Sequence, residues 1–518
     1  MRFSVKLEID YSESDIVTQN KMRNLNDFLL PHKEAVCICE IDGRPYYSED
    51  SYDKISNFTL AVETHPVIHI TNDLIHAVSS GEEGRSLFLS VDVPFLKQLT
   101  QVYYEHGLIE ALHTASTHRH KIISNLAYVT LSVFNIYQRT RLFLNPSLQY
   151  KGINTIHEYS QTRNWASHSV RCLAWQPYSC MIAVCTVDDS VRIYTSDNTI
   201  NYLLRCKQQK NVTCLAWRPH TNGELAVGHE GGIIVWSIDP HSLVVRPSIS
   251  NAIILYEMNH KPVISLTWSP RGDFLVSAAA CDKSIYVWNV ELNKNSTLKK
   301  PGGSGNVIVK WSPSGDKMFS STNGIVFRVW DCQTWESEKW MVLAGRVQTA
   351  CWTNCGTHLL FATSTEPLIY ALRVKSGVVF TSDIESSNDQ AIPLFDLTKI
   401  ELDGVCIGGL VQTMEIDPKG NNLAVMFQNT DVIALFNIAR KHNIELIASS
   451  LITQCGASPT TIAFQQNFEQ GACLSIGWSN GKVQHFPIIY TDLSNSLNMS
   501  NVNTSMKTSL SYQTFQNL

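Results

Sequence analysis

Several groups of residues in this chain have types and spacing that could do chemistry. Cys351, Cys355 and His358 could offer two thiolates and an imidazole to a metal. Cys351 falls in an expected strand, whereas Cys355 and His358 bracket the turn after it. No fourth ligand stands at zinc spacing, so no metal site is expected. Gly302-Gly303-Ser304-Gly305 is the nearest approach to a phosphate loop. It is not a GxxxxGK loop ending in Ser or Thr, nor a GxGxxG that opens a helix, and a flexible connector is the reading left. No GxSxG nucleophile elbow occurs. His168 and His260 each precede an expected first strand, and Asp189 and Asp282 stand in turns before expected third strands. Hydrogen bonding inside a sheet unit explains these four better than catalysis. Arg205, Lys207 and Lys210 could meet phosphate, but no stacking aromatics interleave them, so an exposed outer strand is expected. The sequence therefore assigns no catalytic, cofactor-binding or metal-binding residue, and no partner-binding residue.

The elements that hold these residues repeat. In Lys261–Val290, Val263 to Trp268 reads as one strand and Phe274 to Ala279 as a second. Ser284 to Trp288 reads as a third, with Ser269-Pro270-Arg271-Gly272-Asp273 and Asp282-Lys283 as the turns between. β-Branched and aromatic side chains suit a pleated surface, and Pro and Gly punctuate it. One such sheet cannot bury both faces and needs copies of itself as neighbours. An aromatic or apolar residue before a turn recurs at Trp175, Trp217, Trp268, Trp311, Trp352, Ile416 and Phe464, with gaps of 42, 51, 43, 41, 64 and 48 residues. A second landmark follows each, at Tyr194, Trp236, Trp288, Trp330, Tyr370, Phe436 and Phe486, 18 to 22 residues later. Constant spacing within a copy and variable spacing between copies place insertions in loops. A period of about 40–45 residues with four strands per copy is that of a WD40-type propeller, here with seven blades.

This all-β, seven-bladed WD40-type propeller is expected over 151–490. Residues 1–150 do not share the repeat and read as an extension with a strand near 35–41 (AVCICEI) and helices near 94–112 and 121–144. In the second helix Ile122, Leu126, Val129, Val133 and Ile136 form one stripe. Its apolar part, about 16 residues, falls short of the roughly 20 that a membrane span needs, and it carries Ser124, Asn125, Thr130, Ser132 and Asn135. A helix docked on the propeller or on a partner is expected instead. Because a propeller must pair its last blade or leave an open edge, the strand near 35–41 is expected to complete blade seven. Lys294–Asn306 and the acidic stretch Lys375–Gly409 read as inter-blade connectors, and the Ser/Asn/Thr-rich 491–518 as a disordered tail.

Composition sets the outer limits. The chain has 518 residues, 17% of them charged, and a net charge of −5, so no global field draws in nucleic acid or an anionic membrane. Fourteen cysteines are scattered without a CxxC pair, as small buried hydrophobes in a reducing compartment would be. MRFSVKLEIDYSESD has neither the apolar core nor the cleavage site of a secretory signal.

Particular runs resemble a known family. NWASHSVRCLAWQP (164–177), DDSVRIY (188–194), QKNVTCLAWRP (209–219), FRVWDCQTWESEKW (327–340), GRVQTACW (345–352), EPLIY (366–370) and SIGWSNGKV (475–483) are similar to the aladin family of WD-repeat nucleoporins. The resemblance implies a non-enzymatic scaffold of the nuclear pore complex at the nuclear envelope. It implies tethering by a transmembrane nucleoporin, contact with other pore proteins, and support of selective nuclear protein import. It also implies a role with spindle proteins, in the spindle and centrosomal region in mitosis. No cofactor, no direct nucleic acid and no direct membrane insertion are expected. The absence of any Phe-Gly dipeptide agrees with a structured tether rather than a barrier-forming nucleoporin. The competing expectations are a cytoplasmic WD-repeat adaptor or substrate receptor of another complex, and a propeller with a ligand or catalytic site in its central channel.

Overall fold

The turn after each first strand shows how the sequence builds the repeat. In Ser269–Asp273 the Gly272 N–H donates to the Ser269 carbonyl at 2.8 Å, and in Ser312–Asp316 the Gly315 N–H donates to the Ser312 carbonyl at 3.0 Å. Both glycines have positive φ, 77° and 80°, which a side chain would resist. Gly356 and Gly420 close the equivalent turns of two later blades. Each turn reverses the chain onto an apolar second strand, and the ladder is antiparallel in every blade.

The computed structural model describes 23–28, most of 37–47, 62–75 in part, scattered residues of 94–100, 108–116, 121–144, and 153–490 with short gaps. Within it the chain is a seven-bladed β-propeller. The inner strands of blades one to seven are Val170–Trp175, Cys214–Trp217, Val263–Trp268, Asn306–Trp311, Val347–Trp352, Val411–Ile416 and Pro459–Gln465. Blades one to four and blade six are four-stranded. The core lies between blades. One cluster joins Leu360 and Phe395 of blade five to Val425 and Phe436 of blade six, and another joins Ile433 of blade six to Phe464 and Trp478 of blade seven.

Among the described residues four short strands precede the blades: β1 (Arg23–Asn24), β2 (Cys37–Ile41), β3 (Arg44–Tyr47) and β4 (Ile68–His69). Blade seven supplies three strands of its own. Along its third, Lys482–Ile489, β4 pairs with Lys482 and Val483 in antiparallel fashion, and β2 pairs with Ile488 and Ile489 in parallel. The expected N-terminal strand does complete the last blade, but it shares that edge with β4, and β3 extends the sheet beyond it. β1 adds a parallel fifth strand to blade five. Blade seven then meets blade one, where Val170, Trp175 and Val184 share a cluster with Ala463 and Val483.

Among the described residues three helices have defined bounds: α1 (Leu108–Ser116), α2 (Lys121–Leu144) and α3 (Ile153–Tyr159). The helix expected near 94–112 is helical at its described positions between 95 and 100, and α1 runs four residues past its expected end. Two expected connectors contain strands. Lys294–Leu298 is the outer strand of blade three, because Leu298 and Thr297 find ladder partners on Ile285 and Tyr286. In the acidic stretch, Ile392–Asp396 is the outer strand of blade five, and Ile400–Leu402 pairs with Val405–Ile407. Residues 375–389, Gly302, Gly303 and the tail 491–518 lie outside the described residues.

Candidate functional site

Four of the five tryptophans that end first strands are inter-blade ties. Trp217 Nε1 donates to the Ala174 carbonyl of blade one at 3.0 Å, Trp268 Nε1 to the Ala216 carbonyl of blade two at 3.1 Å, and Trp352 Nε1 to the Lys310 carbonyl of blade four at 3.2 Å. Trp175 Nε1 donates to Ser475 Oγ of blade seven at 2.9 Å, so the same device closes the ring. All four are buried, as is Phe464. Trp311 and Ile416 are only partly buried, and Trp311 Nε1 finds no hydrogen-bond partner among the described residues. Phenylalanine cannot donate from its ring. At Phe464 the backbone N–H instead donates to Glu415 Oε2 at 3.3 Å, and burial pushes that carboxyl above its usual range.

The histidines and aspartates divide. His260 Nε2 lies 2.7 Å from Ser277 Oγ, which also accepts from Trp288 Nε1 at 2.8 Å, and His260 Nδ1 faces Asp282 at 3.4 Å. Burial works against ionising Asp282, but the bonds from His260 and the Ser284 N–H outweigh it and hold the carboxyl below its usual range. This cluster sits within blade three and ties its strands together. His168 behaves differently: its Nε2 is buried without a hydrogen-bond partner among the described residues, and burial lowers its pKa. Asp189 pairs with Arg171 and accepts the Val212 N–H at 3.0 Å, joining blade one to blade two.

The candidate chemical groups stay apart. Cys351 is buried in its strand with its thiol pushed up to about 12. Cys355 is exposed, 2.9 Å from Thr357 Oγ1, and His358 Nδ1 bonds the same hydroxyl. No group of three or more His, Cys, Asp or Glu side chains among the described residues could hold a metal. Arg205 lies 4.0 Å from Asp188, while Lys207 and Lys210 are exposed just beyond the outer strand of blade one.

What the repeat did not reveal is a strap, residues 153–168, laid across the axis of the ring. Thr162 Oγ1 donates to the Arg171 carbonyl of blade one, and Trp165 Nε1 to the Val212 carbonyl before blade two at 3.0 Å. Tyr159 is buried with Ile264 of blade three and Val307 of blade four. Gln161 Nε2 donates to the Gln348 carbonyl of blade five at 2.9 Å, and Gln412 Nε2 of blade six donates to the Ser160 carbonyl at 2.9 Å. The Arg163 N–H donates to the Thr460 carbonyl of blade seven at 2.9 Å, and its guanidinium reaches the Thr430 carbonyl of blade six at 2.7 Å. A segment bonded to five blades and clustered with the other two, mostly near the starts of their inner strands, lies over that end of the ring. Arg346 fixes one end, donating to the Glu158 carbonyl at 2.8 Å with its guanidinium 4.6 Å from the Tyr159 ring centroid. Burial lowers the Arg346 pKa against the pull of Tyr159 and Glu158. The signal available in the sequence was a buried-type tryptophan, Trp165, five residues before the first blade strand.

A family model described as the aladin seven-bladed propeller matches residues 151–489. The chain belongs to that family. The matched range starts at 151, so the aladin propeller takes in the strap as well as the blades. Aladin of Arabidopsis thaliana is 27% identical over 314 residues, covering 56% of this chain and 68% of that protein. The WD repeat-containing protein AAC3 of Dictyostelium discoideum is 27% identical over 169 residues, 30% of this chain and 35% of its own length. Among solved structures, the β-propeller domain of Myceliophteria thermophila Cps50 (Swd1) covers 62% of this chain and 96% of that domain, at 15% identity and a TM-score of 0.48.

Proposed function

We propose that this aladin-family protein is a non-enzymatic scaffold component of the nuclear pore complex. In this reading a transmembrane nucleoporin holds it at the nuclear envelope, it supports selective nuclear protein import, and it serves at the mitotic spindle. Membership of the aladin propeller family carries the proposal. Two features of the molecule support it. The strap lies over one end of the ring, and the Arg163 guanidinium it brings there is spent on the Thr430 carbonyl and Asp431 of blade six. No described helix is long and apolar enough to cross a membrane, and in this reading the tether is a protein.

Localisation of the tagged full-length chain tests the reading. A rim at the nuclear envelope is expected, together with slowed import of a reporter when the protein is depleted. A diffuse cytosolic signal with normal import overturns it, and would leave the adaptor of another complex as the better account.

A further inference from the structure

Residues 62–70 are held on blade seven by a chain of hydrogen bonds that runs in one direction. Trp175 Nε1 of blade one donates to Ser475 Oγ at 2.9 Å, Ser475 Oγ lies 2.8 Å from His485 Nδ1, and His485 Nε2 lies 3.1 Å from the Pro66 carbonyl. A carbonyl only accepts, so His485 carries its proton on Nε2 and presents a lone pair at Nδ1. The Ser475 hydroxyl donates to that lone pair while its oxygen accepts from Trp175. His65 is 7% exposed and stands beside His485, with ring centroids 5.3 Å apart. Its Nε2 lies 2.6 Å from Gln465 Oε1, and its Nδ1 is buried with no hydrogen-bond partner among the described residues. The Trp175 ring lies 5.5 Å from His485 and 5.7 Å from His65, so both imidazoles sit against an aromatic wall.

The cluster holds no countercharge. Neither ring pairs with a carboxylate among the described residues. Glu63, His69 and Asp73 of the N-terminal segment, Glu469 after Phe468, and Lys482 at the start of the third strand are all exposed. On blade one, Arg171 pairs with Asp189 and Arg192 donates to the Leu74 carbonyl at 3.2 Å. The thiols of Cys172, Cys180 and Cys473 and the phenols of Tyr178 and Tyr194 carry no charge at or below neutral pH. A proton on His485 Nδ1 would therefore turn an acceptor into a second donor facing Ser475, and one on His65 Nδ1 would bury an N–H with nothing to receive it. Burial lowers the proton affinity of both rings: His485 falls to about 4, with His65 adding to the effect, and His65 falls against the pull of its bond to Gln465. Once residues 62–70 lift away, the rings meet water and regain the ordinary value near 6.5. A group whose value is depressed in the bound state favours that state above 6.5 and loses its contribution as pH falls towards the depressed value, so protons drive release. The other bonds on the segment are few. β4 pairs with Lys482 and Val483 alone, the Ile70 N–H donates to the Gly481 carbonyl at 2.8 Å, and Ile68 and Ile70 join the apolar cluster between blades seven and one.

We propose that His65 and His485 form a proton-operated latch. It holds residues 62–70 on blade seven at neutral pH and releases them on mild acidification, baring the Lys482–Val483 edge while the rest of the ring stays closed. The latch is independent of the nuclear-pore reading.

Hydrogen exchange on the full-length chain, corrected for the intrinsic effect of pH, tests the latch. Restoring one ring from about 4 to 6.5 on release predicts a loss of protection at residues 68–70 of roughly twentyfold or more between about pH 7 and about pH 5. Ile488 and Ile489, paired with β2, and the strands of blade three should keep their protection. In carbon-labelled histidine spectra the two rings, identified by the signals that vanish in His65→Gln and His485→Gln, should titrate below about pH 6 and in step with that loss. Each of these variants should flatten the pH profile at residues 68–70, whereas His69→Gln, an exposed neighbour, should leave it as in the wild type. Wild-type protection at residues 68–70 that is unchanged down to about pH 5 overturns the proposal, as does a loss that blade three shares. Rings that titrate near 6.5 also overturn it, as does a slope that stays as steep in both variants as in the wild type.

Discussion

Trp268 touches two blades at once, with its ring in the core between them and its Nε1–H on the Ala216 carbonyl. Trp268→Ala is therefore expected to cost roughly 3–5 kcal/mol in a denaturant melt, as core aromatics do. Trp268→Phe keeps most of the bulk and should cost about 1 kcal/mol, the share of one hydrogen bond. Trp311→Ala should cost about 1 kcal/mol less than Trp268→Ala, because its Nε1 has no such bond to lose. Equal losses at Trp268 and Trp311 would refute this ranking. Glu40 on β2 gives a pH prediction. It is buried and accepts from Ser449 Oγ at 2.8 Å and Ser450 Oγ at 2.6 Å, and burial raises its pKa against those bonds. A raised carboxyl binds its proton more tightly when folded. The stability it contributes is full below the unfolded-chain value near 4.5 and is lost as pH rises through the folded value. Glu40→Gln should remove this slope, so the wild type should lose stability relative to the variant as pH rises from about 4. Parallel curves for the two proteins would show that the Glu40 carboxyl titrates alike in the folded and unfolded chains.

At the scale of elements, the strands that carry a turn signal and an alternating pattern were legible, and those that carry neither were not. The Ser-Pro-x-Gly-Asp turns announce both flanking strands, because proline and a positive-φ glycine have few other uses there. β2 was legible through AVCICEI and through the demand of the last blade for a partner. β1 and β4 have two paired residues each, too few to show any period, and they hold their places through ladder bonds and through neighbours such as Leu25 and Phe28 in the core of blades five and six. Lys294–Leu298 reads as a connector in the sequence because its polar side chains face water on an outer edge, where burial imposes no pattern. The strap was illegible for a related reason. Its work is done by single side chains, Gln161, Arg163 and Trp165, on backbone carbonyls hundreds of residues away in some cases, and such bonds have no local spacing. Disrupting β2 tests the role given to it. Glu40→Pro removes a ladder strand's N–H and rigidifies the backbone. Hydrogen exchange should then speed up at Ile488 and Ile489, while the amides of blade three keep their protection. Unchanged exchange at those two residues would mean that β2 is dispensable for the edge.

For the whole molecule, one strap bonded to five blades and sharing an apolar cluster with the other two predicts a single cooperative unit. Calorimetry should show one transition, and Trp165→Ala should shift all of it downward by roughly 3–5 kcal/mol of lost stability. A variant that splits the trace into two transitions would show instead that blades melt independently. Closure of blade seven by β2 and β4 also fixes a timetable for synthesis. β2 emerges from the ribosome early, yet the strand it pairs with, Lys482–Ile489, is among the last of the described residues to appear. At 5–20 residues per second, Glu40 waits roughly 20–90 s for Ile488. Throughout that interval a nascent chain holds an unmated β-edge near its beginning and a growing, unclosed arc of blades behind it. Translation that stops short of Lys482 never supplies the mate. A premature stop anywhere before that codon thus yields an open ring with two sticky ends, a substrate for chaperones and proteases, however many complete blades it contains.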